Sequence, residues 1–271
     1  MRREAQKYLF FIFLLFLVPI IVANYPSIPE QVTKAEPQRK SLMVYAENLG
    51  ESEFPHLQPK STKALVYFTH SHEAFQPIVQ SKENLTAVYH PNSNIMAFED
   101  TIKSHFELNG IQTEFLAVDT MDEMKKKNKV FREAYNVVRP FIDQQIKENE
   151  YDIIIDLHRD SAKRKTSTLT YENLTYGKIY FVLGENNPNY PENKEYAERL
   201  SIQLNNLVPG ISRGIFGKKG EHVDGVYNQD LAQNMVLIEL GGIDNTEEEI
   251  NRTISVLAKA ISTALQDQSS I

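Results

Sequence analysis

The chain contains no cysteine. Disulfides, thiolate metal sites and thiol nucleophiles are therefore excluded, and any bound metal must be held by histidine, aspartate or glutamate. No nucleophile elbow, phosphate-binding loop or dinucleotide fingerprint is present. Base is not in excess either: 36 acids against 29 bases give a net charge of −7. Residues 1–24 hold Arg2, Arg3, Lys7 and Glu4 and contribute +2, so the remainder carries −9. A nucleic-acid partner needs a basic face, and none is expected. There is no internal repeat and no long low-complexity tract. The 271 residues, 41% hydrophobic and 24% charged, suffice for one or two folded domains.

Three regions are expected. Residues 1–24 combine a basic start with an apolar run over residues 8–23, YLFFIFLLFLVPIIVA. This run is longer than most signal-peptide cores and shorter than a full span of roughly 20 residues. It exits through Ile21, Val22, Ala23, Asn24, Tyr25 and Pro26, a poor cleavage site, so an uncleaved anchor is favoured over a cleaved signal. Arg2, Arg3 and Lys7 keep the N-terminus in the cytoplasm. The protein is thus expected at the cell membrane, single-pass, with its body outside. Residues 25–62 are polar and carry prolines at 26, 29, 37, 55 and 59, which reads as an extracytoplasmic linker. Residues 63–271 form the folded domain.

Within that domain strands and helices alternate. Strands are predicted at 64–68, 112–118, 152–156, 178–183 and 234–240, and helices at 94–108, 130–147, 191–207 and from Ile250 onward. Continuous apolar strands interleaved with helices predict an α/β fold with a mostly parallel sheet flanked by helices. In such sheets ligands bind beyond the carboxyl ends of the strands, and three polar clusters follow three apolar strands. The first is Thr69-His70-Ser71-His72-Glu73, whose imidazoles and carboxylate are ordinary zinc ligands. The second is Asp156-Leu157-His158-Arg159-Asp160-Ser161. Here His158 can ligate a metal, while Asp156, Asp160 or a backbone carbonyl orients its other nitrogen. Arg159 can pair with an acid or hold a carboxylate. The bland alternative is an internal salt-bridge network. The third, Glu239-Leu240-Gly241-Gly242, ends a buried strand in a carboxylate suited to general-base work. Its glycines permit close backbone approach. Asn245, with Glu248 three residues on, reads as a capping-box start to the last helix that also braces the Glu239 loop. Tyr227-Asn228-Gln229-Asp230 reads equally as pocket lining or polar turn. The glycine-rich stretch with Lys218, Lys219 and His222 reads as a mobile substrate loop.

Together, THSHEAFQP, DLHRDSA, YNQDL and IELGGIDNTEEE resemble the stage II sporulation protein P family of membrane-anchored cell-wall amidases. These are related in fold to the zinc N-acetylmuramoyl-L-alanine amidases. The resemblance covers roughly residues 63–264. It implies one catalytic zinc, with His70, Glu73 and His158 as ligands, although His72 competes with Glu73 for the third place. It implies Glu239 as the catalytic carboxylate and Arg159 as support for the oxyanion. The reaction implied is hydrolysis of the amide between N-acetylmuramic acid and L-alanine in peptidoglycan, during sporulation and engulfment, with cross-link cleavage as an added activity. The implied protein partner is the lytic transglycosylase stage II sporulation protein D. Ala74 stands where the family pattern has serine, and the linker is short. A zinc peptidase or carboxypeptidase on the same scaffold, and a non-catalytic wall-binding protein, are the competing readings.

Overall fold

Short apolar runs rich in β-branched residues, each closed by a turn, build the centre of the domain. The structure, a computed structural model, describes residues 62–268; the expected anchor and the expected linker up to residue 61 lie outside these residues, and Thr62, read as the linker's last residue, already belongs to the first strand. Its strands are β1 (Thr62–Tyr67), β2 (Ile111–Phe115), β3 (Ile153–Asp160), β4 (Thr168–Tyr171), β5 (Leu174–Gly177), β6 (Ile179–Gly184), β7 (Ser212–Lys218) and β8 (Met235–Gly242). The helices longer than one turn are α1 (Gln76–Glu83), α2 (Glu99–Leu108), α3 (Thr120–Lys126), α4 (Ala134–Glu148), α5 (Tyr190–Leu207) and α6 (Glu247–Gln268). Among the described residues, no helix is long and apolar enough to cross a membrane.

Six strands form one sheet in the order β2-β1-β3-β8-β6-β7, and β4 and β5 form a separate hairpin. β2, β1, β3 and β8 run parallel, β6 is antiparallel to β8, and β7 is parallel to β6. The expected mostly parallel sheet is therefore present, with a reversed pair at one edge. A parallel strand needs a crossover of about a dozen residues. Between β3 and β6 the place of a crossover helix is taken by a single-turn helix and the β4–β5 hairpin, which leads into β6 through Lys178.

The period of two along the strands separates two cores. Val66, Ile155, Leu157, Ile238 and Leu240 point into the larger one, against α2, α5 and α6. Leu65, Tyr67, Ile154 and Met235 point the other way, against Val138 and Ile142 of α4. That alternation puts Asp156, His158 and Glu239 on the α4 side of the sheet.

Behind this edge, the loops after β3 and β8 are tied together. Thr246 and Glu249 form the capping box of α6. Thr246 N donates to Glu249 Oε2 at 3.1 Å, and Glu249 N donates to Thr246 Oγ1 at 3.4 Å. The box thus sits one residue later than the Asn245–Glu248 pair read from sequence. Asn245 instead accepts from Gly242 N at 2.8 Å and donates to Glu249 and Thr168, the expected brace of the Glu239 loop. Arg164 grips Glu249 with both terminal nitrogens. Burial alone would raise the Glu249 carboxyl, but Arg164, Asn245 and the Thr246 amide outweigh it and bring it down to about 2. A carboxyl lowered in the folded state stabilises fully above its unfolded pKa and ceases to do so as pH falls through its folded one. The urea midpoint is therefore expected to fall between about pH 5 and about pH 2, with a shallower fall in Glu249→Gln.

Gly242 packs where a side chain cannot fit. A Cβ there would strike the Ala162 carbonyl and the Ser167 side chain. Gly242→Ala is expected to cost about 1–3 kcal/mol or more, read as a lower urea midpoint with an unchanged m-value.

Candidate active site

Three backbone segments converge at the carboxyl edge of the sheet. Beyond β1 a turn closed by Glu73 N donating to the His70 carbonyl at 2.9 Å sets His70 and Glu73 side by side. From β3 comes His158, and from its hydrogen-bonded neighbour β8 comes Glu239, paired with His158 in register. Because paired residues on neighbouring strands share a face, one ladder position fixes both side chains.

His70, Glu73 and His158 each present a ligand atom within 4.8 Å of the other two. His70 Nδ1 lies 3.6 Å from Glu73 Oε1, and His158 Nδ1 lies 3.6 Å from Glu73 Oε2. Ligand bonds of 2.0–2.2 Å around a tetrahedral ion leave neighbouring donors about 3.4 Å apart, so the triangle has the dimensions of a metal site. The His70 ring stacks on Phe131, with centroids 4.3 Å apart, and meets Tyr135 edge-on at 5.6 Å. Glu73 is buried, and its Oε2 accepts the Arg159 backbone N–H at 2.7 Å.

His158 is oriented from behind. Its Nε2 lies 3.0 Å from Asp156 Oδ1. Asp156, fully buried, accepts Thr69 N at 3.0 Å and Thr69 Oγ1 at 2.8 Å. Of the orienting groups considered from sequence, the structure selects Asp156. Asp160 instead pairs with Arg213. Burial would lower the His158 imidazolium, but the charges of Asp156, Glu73 and Glu239 raise it to about 10. Three acidic side chains thus surround this imidazole.

Glu239 faces the same space, and its Oε2 is buried without a hydrogen-bond partner among the described residues. Burial, then the negative charges of Glu73 and Asp160, push its carboxyl up to about 8 against the pull of His158 and Arg159. A buried unpaired carboxylate oxygen is costly to keep in a purely structural role. The donors of His70, Glu73 and His158 fit a cation, and the Glu239 carboxyl lies beside them.

The remaining candidates are placed more definitely than the sequence allowed. His72 is not with the triad; it pairs with Asp119 at 2.9 Å, beside a second grouping with Asp122. Arg159 is buried, with its terminal nitrogens donated to the Val88 and Asp160 carbonyls and its guanidinium 5.5 Å from the Tyr89 ring centroid. Only its buried Nε remains without a partner. His222 and Tyr227 line a cleft of about 520 Å³ with His70, Phe131 and Tyr135. Both Tyr227 and Asn228 have positive φ, at 56° and 57°. Asn228 donates to the Tyr135 carbonyl and accepts from Arg139, so this segment is pocket wall fastened to α4. The aromatic rim of Tyr89, Phe131 and Tyr135 was not singled out from sequence. Its signal was only a scatter of aromatics in segments read as helix or loop.

The family model described as Stage II sporulation protein P matches residues 24–262. Stage II sporulation protein P of Bacillus subtilis (strain 168) is 31% identical over 198 residues, which are 73% of this chain and 49% of that protein. The chain thus spans about half the length of that curated relative. Among solved structures, the CwlD amidase from Clostridioides difficile in complex with the GerS lipoprotein is similar at a TM-score of 0.49 and 15% identity, over 77% of this chain and 98% of that one. An N-acetylmuramoyl-L-alanine amidase from Clostridium difficile 630 gives 0.47 and 13%, over 78% and 97%. A metallo-carboxypeptidase from Burkholderia cenocepacia gives 0.44 and 10%, over 78% and 58%. With its family model matched over residues 24–262, this chain belongs to the stage II sporulation protein P family.

Proposed function

We propose that the chain is a zinc-dependent peptidoglycan hydrolase of sporulation that cleaves the amide between N-acetylmuramic acid and L-alanine. The observation that carries this is the triangle of His70, Glu73 and His158 with the unpartnered Glu239 carboxylate beside it. Two imidazoles and a carboxylate suit zinc. When bound, zinc supplies Lewis acidity and lowers the pKa of a water toward about 7. Glu239 takes the proton from the attacking water and returns it to the leaving amine. Asp156 keeps the His158 ring turned so that Nδ1 faces the site, the usual function of such a carboxylate behind a histidine ligand. Arg159 positions Glu73 through its backbone N–H and backs Tyr89; its buried Nε is what it has left for the oxyanion. The aromatic rim offers flat apolar faces to the sugar and stem peptide.

In this reading residues 1–24 anchor the protein, residues 25–62 tether it, and the domain works outside the membrane. An acidic domain at an anionic wall gains from recruitment, for which stage II sporulation protein D is the proposed partner. A purified pair that neither associates nor alters each other's activity would remove it.

The test is digestion of purified peptidoglycan by the full chain with zinc and with a chelator, with products identified by mass spectrometry. Zinc-dependent release of intact stem peptides is expected. The chelator should abolish it and also lower the melting temperature, since a ligand bound only to the folded state stabilises it. Products cut only within the peptides would replace the amidase reading with the peptidase one. A folded, zinc-loaded protein that cuts nothing, alone or with the partner, would overturn the enzyme reading.

A further inference from the structure

The reversed edge of the sheet carries a feature that the proposed reaction does not use. β7 holds one residue more than β6 across the same stretch: Ile179 pairs with Ser212, but Phe181 pairs with Ile215. The extra residue makes a bulge at Arg213-Gly214. Gly214 has φ of 85°, and a Cβ there would meet nothing within 4 Å, so glycine is needed for conformation and not for space. Bulges of this kind re-aim a side chain and recur beside active sites.

What is re-aimed is Arg213. Its guanidinium lies 4.5 Å from the Tyr180 ring centroid and 5.8 Å from that of Phe216. One terminal nitrogen is anchored on Asp160. Its other nitrogens donate no hydrogen bond among the described residues, and the side chain keeps 20% exposure. The anchors lead directly to the catalytic edge. Tyr180 stands opposite Glu239 in the β6–β8 ladder, and Asp160 is one of the charges acting on Glu239. A guanidinium stacked on rings, held at one corner and open on its remaining donors is a preorganised fork for a carboxylate.

The surroundings make such a fork useful. Glu73, Asp156, Asp160 and Glu239 crowd this edge, and Arg159 has both terminal nitrogens engaged. An acidic substrate would be repelled unless a fixed cation received it. Resting on the amidase reading, we propose that Arg213 is a specificity residue that binds a carboxylate of the peptide attached to muramic acid, as a subsite separate from the metal ligands.

The experiment measures binding and turnover of N-acetylmuramyl-L-alanyl-D-glutamate and of its bis-amide by the full chain. Three forms are compared, each zinc-loaded: unsubstituted, Arg213→Ala and Arg213→Lys. Binding is read calorimetrically in a Glu239→Gln background, and kcat and KM in the active background. The expected result is that the unsubstituted protein prefers the acid, and that Arg213→Ala weakens acid binding and raises KM roughly tenfold to a hundredfold. The bis-amide and kcat should be little changed. Arg213→Lys keeps a cation for Asp160, so it should fold normally, yet it loses the planar fork and should recover only part of the preference. Equal binding of acid and bis-amide by the unsubstituted protein overturns the subsite and leaves the amidase reading standing. So does an equal loss on both substrates in Arg213→Lys. Absence of binding and cleavage for both compounds in the folded unsubstituted protein overturns the substrate class, and the subsite with it.

Discussion

Glu239→Gln is expected to reduce kcat for release of stem peptides by about 10²–10⁴-fold, while zinc content and fold are retained. Glutamine has the shape of glutamate and cannot accept the proton. It leaves His70, Glu73 and His158 untouched, so metal loading should match the unsubstituted protein. A second consequence has the opposite sign. The Glu239 carboxyl is raised to about 8, first by burial and then by Glu73 and Asp160. An acid whose pKa is raised on folding destabilises the folded state once pH passes its unfolded value, and most fully above its folded one. Metal-free Glu239→Gln should therefore melt higher than the metal-free parent near pH 8 and above. Lost activity with gained stability is the signature of a group kept for chemistry. Activity within a few-fold of the parent would remove Glu239 from the role of base.

Asp156→Ala is expected to be the most damaging single change behind the site. Asp156 is fully buried and receives two hydrogen bonds from Thr69 and the contact from His158 Nε2. Its removal strands both Thr69 donors and takes away the carboxylate that lies 3.0 Å from His158 Nε2. Breaking a buried charged pair in this way costs about 3–5 kcal/mol, seen as a lower urea midpoint in the metal-free protein. Loss of the group that orients a ligand should also weaken zinc binding about 10–100-fold, measured by competition with a chromogenic chelator. Asp156→Asn, which retains an acceptor, should recover most of the stability but less of the affinity. Unchanged zinc affinity in a folded Asp156→Ala would mean that His158 is oriented by something else.

The parts of this architecture legible in sequence were those where one physical signal dominated. The isoleucine run at 153–155 could only be a buried strand, and the charged residues after it could only be costly or useful. The periodic face of Ile250, Ile254, Leu257 and Ile261 announced α6. His70, His158 and Glu239 were found because strand ends concentrate chemistry. Sequence leaves His72 and Glu73 equivalent as the third candidate because they are adjacent, and only the turn closed on the His70 carbonyl sets Glu73 beside His70 and His158. In sequence β7 reads as a loop because Gly214 and Gly217 obscure the strand pattern; Gly214 makes the bulge. The β4–β5 hairpin is polar, and its Glu172-Asn173 turn, with both residues at positive φ, lacks the glycine that usually marks such a turn. α1 and α3 are too short to show a convincing period. The antiparallel entry of β6 depended on that unread hairpin.

The ladder pairing of His158 with Glu239 also bears on which motions the centre can survive. These two side chains stand on central strands whose backbone amides should be among the last to exchange with solvent. A slip of β8 by one residue would turn Glu239 into the opposite core. The distance between His158 and Glu239 is therefore set by the same hydrogen bonds that define the native sheet, and it is lost only when the domain itself unfolds. His70 and Glu73 sit on a turn pinned to β3 by the Arg159 N–H on Glu73 Oε2, whereas Tyr89 and Phe131 stand exposed at the rim, where opening costs less. Breathing of this protein should vary what enters the cleft and leave unchanged the geometry that meets it.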